Sequence, residues 1–320
     1  MRVSTSQIFD SGVQGLLRNQ SSLLNTQNHI SASKRVLKPS DDPVAAARAL
    51  VVTQSQEVNK QYIANQGYAS DQLRLLESKL GSAVATIQDI IDVSISAGNG
   101  ALTDQGRKDI ATELRQRLDE LLATANSQDG SGNYIFSGYK TNVQPFALNP
   151  DPLATTYSMS NPYVDYQGDQ GQVALQVDAS RQMAISENGA SVFVRVTDDS
   201  GNLTNASVFD SLKNMIDTLE TPIASNPTFK DDYDKALSEF QSFLNTAGRV
   251  RSSVGARMSE LDSLGESASN LSLQYDETLS NLQDLDYISA MTDFTKQQIQ
   301  LEAAQKSFVQ ISGLSLFNYL

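Results

Sequence analysis

Apolar residues recur every three or four positions along most of this chain, and the spacing is most regular at its two ends. Over residues 9–37 it follows an uninterrupted 4-3-4-3 repeat, in which one column is apolar and the other is mostly polar. Such a repeat is typical of a helix that packs along a partner helix, although an ordinary amphipathic helix gives the same pattern. The candidate N-terminal assembly residues on this seam are Phe9, Val13, Leu16, Leu23, Ile30 and Leu37.

The last stretch, residues 287–320, carries a second apolar stripe with helical spacing, no Pro and a single Gly, Gly313. A lone helix cannot cover its own stripe, so it needs partners. We expect these to be the N-terminal seam of the same chain and other copies of the protein. The candidate C-terminal assembly residues are Ile288, Met291, Phe294, Leu301, Phe308, Ile311, Leu314, Phe317 and Leu320.

The middle of the chain alternates between helical and strand periods. Helices are predicted from Pro43 to about Ala97 with Asp42 as the cap, from Thr103 to about 129, from Ser207, and from Thr228 to about 285. Short strands are predicted at 133–138, 163–166, 173–177, 182–185 and 192–196, where turn residues separate apolar runs. Asp284 and Asp286 bracket a joint before the last helix, with Asp286 as its candidate cap.

The predicted fold is mainly α with an inserted small β domain. It is an elongated rod of long antiparallel helices, and the terminal helices form a coiled-coil assembly domain. Three domains are expected: a discontinuous assembly domain at 1–40 and 287–320, a discontinuous helical rod at 41–140 and 206–286, and the β insertion at 141–205. The two long helices return along each other, so both chain ends are expected to meet.

Charge and composition narrow the classes of partner. The net charge of −13 makes nucleic acid an unsuitable partner. Residues 1–40 carry five basic groups against Asp10, a local charge of +4, and 287–320 are neutral, so the acidic charge lies in the middle. The chain has no Cys, no apolar signal-peptide core near its start and no run long enough to predict membrane insertion. Export without a cleaved signal is compatible with these features.

Few residues are candidates for catalysis or for binding a cofactor or metal. His29 is the single His and lies within the N-terminal seam, where a solvated helix residue is the simplest interpretation. No phosphate-binding loop is present, and the acidic turn at 198–202 does not match the spacing of a calcium-binding loop. We therefore assign no catalytic, cofactor-binding or metal-binding residue and expect no enzymatic activity.

Several segments resemble the flagellin superfamily and, within it, the hook–filament junction family, hook-associated protein 3. They are the opening fifty residues, the joint KPSDDP at 38–43, GNYIFSG at 132–138 followed by Pro145-Phe146, VGARMSEL at 254–261 and GLSLFNYL at 313–320. Flagellin itself usually has an Ala- and Gly-rich run after the paired aspartates, where this chain has Pro43-Val44. The resemblance covers about 1–140 and 207–320, and the β insertion matches in position only.

The resemblance implies a structural subunit of the bacterial flagellum that leaves the cell unfolded through the flagellar type III export channel. It implies a ring of like subunits between hook-associated protein 1 and the flagellin filament, built by terminal helices that order on assembly. It also implies an export chaperone that binds the C-terminal helix before secretion. A flagellin-type filament subunit and a cytosolic coiled-coil adaptor stay open as alternatives.

Overall fold

The computed structural model describes residues 5–151, 154, 156–197, 201–204 and 206–317. Six α-helices make up most of this part of the chain: α1 Thr5–Ala32, α2 Pro43–Ala97, α3 Asp104–Ala125, α4 Val208–Glu220, α5 Phe229–Gln283 and α6 Tyr287–Phe317. Between α3 and α4 lie four short strands: β1 Phe146–Leu148, β2 Val164–Tyr166, β3 Ala174–Asp178 and β4 Arg181–Ala184. The mainly α architecture with an inserted β segment is the predicted one.

Side chains that the sequence offers as caps occupy helix starts in the structure. Asp42 Oδ1 accepts a hydrogen bond from the Ala45 N–H at 3.0 Å. Pro43 is the first residue of α2, where its missing N–H costs nothing. Asp286 Oδ1 likewise accepts a hydrogen bond from the Ile288 N–H at 3.1 Å at the start of α6. Each cap accepts a hydrogen bond from an N–H that has no partner within the first helical turn. The starts of these helices can therefore be predicted from sequence.

The strands form two separate antiparallel pairs. In the first pair Phe146 of β1 lies opposite Tyr166 of β2, and in the second Leu175 of β3 lies opposite Met183 of β4. The strands predicted at 163–166, 173–177 and 182–185 are therefore confirmed to within a residue or two, whereas β1 was not predicted.

Two predicted strands are wrong. Residues 192–196 overlap a turn of π-helix at Ala190–Val194. A short apolar run does not distinguish a buried strand from a buried helical turn, because both bury every side chain. Residues 133–138 form turns with one isolated bridge between Gln128 and Tyr134. Gly132 and Gly138 there adopt φ angles of 84° and 73°, a left-handed backbone that reverses the chain and suits glycine.

The β segment shares its hydrophobic core with the helices. Phe193 is fully buried, and its ring centroid lies 5.5 Å from that of Phe146 in β1 and 5.8 Å from those of Phe209 in α4 and Phe243 in α5. Its closest aromatic neighbour is Phe136, at 5.2 Å between centroids. The inserted segment therefore packs as part of the helical unit around it.

The chain divides into two compact units. The first comprises residues 1–60 and 269–320, and the second comprises residues 61–268. The β insertion and the adjoining parts of α2 and α5 fall in the second unit because they share the aromatic core. The three domains expected from sequence, with boundaries at breaks in periodicity, stay a prediction.

The motif at 254–261 fixes α5 to the β3–β4 hairpin. The Arg257 guanidinium donates to Glu187 Oε1 at 2.7 Å and to the Ala184 carbonyl at 3.2 Å. One helical turn further on, Glu260 pairs with Arg181 at 2.7 Å. Because Glu187 is buried, its charge requires a bonded partner, and Arg257 supplies it.

One helix, α2, is long and apolar enough to be a candidate membrane span. α2 contains an 18-residue window with mean hydropathy 1.2, and 39% of that window is buried inside the protein. The core helix of a soluble protein meets the same criterion, so this window is weak evidence for a membrane span.

The described residues contain no cluster of three or more His, Cys, Asp or Glu side chains that could hold a metal ion. Asp198, Asp199 and Ser200 of the acidic turn lie outside the described residues.

Candidate assembly interface

The first compact unit brings the two ends of the chain together, because α1 and α6 pack along each other. The Phe9 and Phe308 ring centroids lie 5.1 Å apart, and Thr26 Oγ1 donates to Gln297 Oε1 at 2.9 Å. Gly12 of α1 lies directly against the Phe308 ring, where an added Cβ would come within 2.7 Å of a ring carbon. The helices therefore approach closely at this point, and a larger residue at position 12 would require the Phe308 ring to shift.

The N-terminal seam residues Val13, Leu16, Leu23 and Ile30 lie on α1 and are half-buried, and Phe9 remains 50% exposed. Leu37 is a correction, because α1 ends at Ala32 and Leu37 lies exposed in the following linker. Ser33, just after the helix, takes a left-handed φ of 54° and turns the chain away. The heptad spacing continues past this turn in the sequence, so spacing alone could not locate the end of the helix.

The C-terminal stripe divides between two sides of α6. Phe294, Leu301 and Phe308 are half-buried on one side, together with the buried Ala290. Ile288 and Met291 are exposed, and Ile288 is 81% exposed. For the remaining candidates, the side chains of Ile311, Leu314 and Phe317 and all of Leu320 lie outside the described residues.

Exposed apolar residues are concentrated in the first compact unit. Of the large apolar side chains that the structure describes as exposed, fifteen lie in this unit and nine in the second, although the first is shorter. We call three groups of them the outer stripes: Leu17 and Leu24 on α1, Val44, Val51 and Val58 on α2, and Ile288, Met291, Ile299 and Val309 on α6. Exposed apolar side chains grouped in this way are candidates for an interaction surface.

The outer stripes on α1 and α2 were missed by the sequence analysis. Leu17 and Leu24 are separated by seven residues, as are Val44, Val51 and Val58. The same heptad interval that identified the seam could have found them. The first pair was overlooked because a more regular column runs beside it on the same helix.

Two carboxylates order the linker between α1 and α2. The pKa of Asp41 lies below its ordinary value, first because the Lys38 N–H donates to its carboxylate, at 2.8 Å, and also because the Leu37 N–H does. The pKa of Asp42 is lowered chiefly by the hydrogen bond from the Ala45 N–H and then by Arg35. Both groups are held in the charged form by the folded linker.

Acid is therefore expected to loosen this linker. A carboxylate with a lowered folded-state pKa contributes stability above its ordinary value of 3.8 and loses it as the pH falls through the lowered pKa. The amide exchange of Lys38 and Ala45, corrected for intrinsic pH dependence, should rise relative to the 61–268 unit across that window. The double variant Asp41→Asn/Asp42→Asn should remove this rise, and an unchanged rise would contradict the assignment.

Comparisons with known proteins converge on one group. The bacterial flagellin N-terminal helical region matches residues 3–141, and the bacterial flagellin C-terminal helical region matches residues 237–320. The chain is 34% identical over 326 residues to flagellar hook-associated protein 3 of Salmonella typhimurium, covering 99% of each chain. It is 23% identical over 324 residues to flagellin of Bacillus subtilis, covering 97% of this chain and 96% of that one.

A solved structure shares the fold. The crystal structure of flagellar hook associated protein-3 from Legionella pneumophila superposes with a TM-score of 0.65 at 20% identity. The match covers 72% of this chain and 98% of that one.

Proposed function

The chain belongs to the flagellar hook-associated protein 3 family, and we propose that it joins the hook to the flagellin filament of a bacterial flagellum. The observation that carries this proposal is the 34% identity to a hook-associated protein 3 over 99% of both chains. The flagellin alternative rests on 23% identity and is less well supported. A cytosolic adaptor has no relative among the proteins compared above. The family is structural, so the function is one of assembly and not of catalysis.

The assembly surface proposed here is the α1–α6 pair together with the outer stripes. One side of each terminal helix is occupied by the other, as the contact between Phe9 and Phe308 illustrates. The outer stripes remain available to neighbouring molecules. Burying them would contribute about 25 cal/mol per Å² of apolar area, before the cost of ordering is subtracted. The neighbours that we propose are like subunits in a ring, hook-associated protein 1 on one side and flagellin on the other.

Export and chaperone binding complete the proposal. We infer that the chain leaves the cell through the flagellar type III channel without a cleaved signal, and that a dedicated chaperone covers α6 before export. The outer stripe on α6 supports this inference, because Ile299 and Val309 are 61% and 66% exposed and need cover in the cytoplasm. The absence of Cys is compatible with passage in an unfolded form.

A reconstitution experiment tests the junction function against the flagellin alternative. Purified full-length chain is incubated alone, and separately with hooks that carry hook-associated protein 1, before flagellin is added. We expect no long filaments from the chain alone and filament growth only from hooks that received it. Long filaments formed by the chain alone would identify a flagellin. Retention in the cytoplasm of cells with an intact export apparatus would instead favour the adaptor.

Substitution within the α1 outer stripe should weaken assembly without unfolding the chain. Leu17 and Leu24 are 59% and 52% exposed, so the double variant Leu17→Asp/Leu24→Asp should keep the melting temperature of the second unit. Attachment to hooks should fall by at least about tenfold, because each half-exposed Leu forfeits about half of the roughly 1.5–3 kcal/mol that full burial of a Leu side chain contributes. Quantitative electron microscopy of hooks measures this loss.

The matched control changes polar residues on the same helix that lie off the stripe. Ser11 and Asn25 are exposed, and neither lies three or four residues from Leu17 or Leu24, so Ser11→Asp/Asn25→Asp introduces the same charge on another side of α1. We expect this control to attach much better than the stripe variant. Equal attachment by the two variants would show that the α1 outer stripe is not part of the interface.

A further inference from the structure

The two linkers that lead to the terminal helices are paired with each other. Linker A is residues 33–42, between α1 and α2, and linker B is residues 284–286, between α5 and α6. The Arg35 N–H donates to the Gln283 carbonyl at 2.7 Å, and the Leu285 N–H donates to the Ser33 carbonyl at 3.2 Å. These two hydrogen bonds flank an antiparallel bridge between Lys34 and Asp284.

The Arg35 side chain reinforces this pairing from both directions. One guanidinium nitrogen donates to the Leu282 carbonyl at 2.7 Å, within the last turn of α5, where carbonyls lack helical partners. The other donates to Asp42 Oδ2 at 2.9 Å, and Asp42 caps the start of α2. The planar Arg35 guanidinium therefore connects the end of α5 to the beginning of α2. A lysine ammonium cannot reproduce this two-sided geometry.

The end of α1 is shaped to reach linker B. Ser33 is the one non-glycine residue with positive φ among the described residues, at 54°. A left-handed conformation is unfavourable at such a residue and persists only where surrounding contacts impose it. Here it directs the Ser33 carbonyl toward the Leu285 N–H, while His29 Nδ1 lies 2.9 Å from the Lys34 carbonyl. The strained turn is therefore held in place by the pairing.

We infer that linkers A and B form one clasp, with Arg35 as its positioning residue, so that α1 and α6 become ordered and dock as a single unit. Fraying that spreads from α6 into linker B breaks the Leu285–Ser33 hydrogen bond, which removes a support from the end of α1. Fraying α1 at Ser33 has the reciprocal effect on α6. The joint at Asp284–Asp286 thus couples the two terminal helices. The benefit of this coupling for assembly rests on the proposed function.

A removable covalent lock tests the clasp. Lys34 and Asp284 form a non-hydrogen-bonded antiparallel pair, for which Cα atoms lie about 4.5 Å apart, within the range that a disulfide spans. The chain contains no Cys, so Lys34→Cys/Asp284→Cys has no competing thiol. The full-length variant should form this disulfide on oxidation and release it with reductant. Lys38→Cys/Asp284→Cys is the control, because Lys38 lies beyond the paired residues.

Hydrogen exchange of the purified full-length chain then measures the coupling between α1 and α6. In Arg35→Ala, exchange in both the 20–32 and the 287–300 segments should rise by a common factor of about five, as for the loss of the one side-chain hydrogen bond that reaches α5, to the Leu282 carbonyl. Arg35→Lys should give a smaller rise, and the oxidised lock should slow exchange in both segments, including in the Arg35→Ala background. Arg18→Ala is the control, since Arg18 bonds only within α1, to the Gln14 carbonyl.

Hydrogen exchange in these variants tests the clasp whether the terminal helices of the free chain are ordered or frayed. If the terminal helices are largely ordered, Arg35→Ala reports the coupling, and if they are largely frayed, the lock reports it. Failure of the disulfide to form overturns the clasp, as does an effect confined to one helix in both variants. Neither result bears on the junction function, which is tested by attachment to hooks and not by exchange in the free chain.

Discussion

Removal of residues 287–320 is expected to abolish attachment to hooks while the 61–268 unit keeps the melting temperature it has in the full-length protein. The truncation deletes α6, which is the packing partner of α1, and one complete outer stripe. It leaves untouched the second unit, whose core is formed by α2, α3, α4, α5 and the β segment. Calorimetry measures the melting temperature, and electron microscopy of hooks incubated with the truncated chain measures attachment.

The control for this truncation is the unmodified full-length chain, which retains α6 and its stripe. It should attach, whereas the truncated chain should not attach at any concentration at which the full-length chain saturates hooks. Full-length-like attachment by the truncated chain would show that α6 is not required. A fall of many degrees in its melting temperature would show that the two units do not fold separately.

The second large effect is predicted in the aromatic core. Phe193→Ala should lower the free energy of unfolding of the second unit by about 3–5 kcal/mol, because a fully buried phenyl ring is replaced by a cavity. The ring is surrounded by those of Phe136, Phe146, Phe209 and Phe243, so neighbouring side chains cannot easily collapse into the space. Urea denaturation followed by circular dichroism measures the difference.

Tyr68→Ala provides the comparison, because Tyr68 is an aromatic residue of the same unit that is 54% exposed on α2. Its loss should change the free energy of unfolding by less than about 1 kcal/mol. A similar, small effect for Phe193→Ala would contradict the shared core. It would support an independently packed β domain of the kind that the sequence suggested.

The helices could be predicted from sequence because their determinants are local. Apolar spacing locates each buried face, and Asp42, Ser207 and Asp286 provide caps whose effect is limited to one turn. Ser207 and Asp210 even form the reciprocal capping box at the start of α4. Every boundary of this kind agrees with the structure to within a few residues.

Features that depend on distant contacts were predicted less well. Whether 192–196 forms a strand or a helical turn is decided by the rings around Phe193, which come from four different segments. Leu37 leaves the seam because Ser33 turns to meet linker B, some 250 residues further on. Ile288 and Met291 follow helical spacing, yet the position of α1 decides which side of α6 is covered.

Only part of the candidate assembly interface could be predicted from the sequence. The half-buried seam residues on α1 were singled out by their heptad spacing, and the structure brings α1 and α6 together. The outer stripes could be separated from the seam only after its partner was known. Their role in assembly remains a proposal that the α1 stripe variant tests directly.

Electron microscopy of a strain that lacks this chain tests the central claim most directly. The junction function predicts hooks that end without filaments, together with flagellin shed into the medium. Expression of the full-length chain should restore filaments, and expression of the chain truncated after residue 286 should not. Normal filaments on the hooks of the deletion strain would contradict the function proposed here.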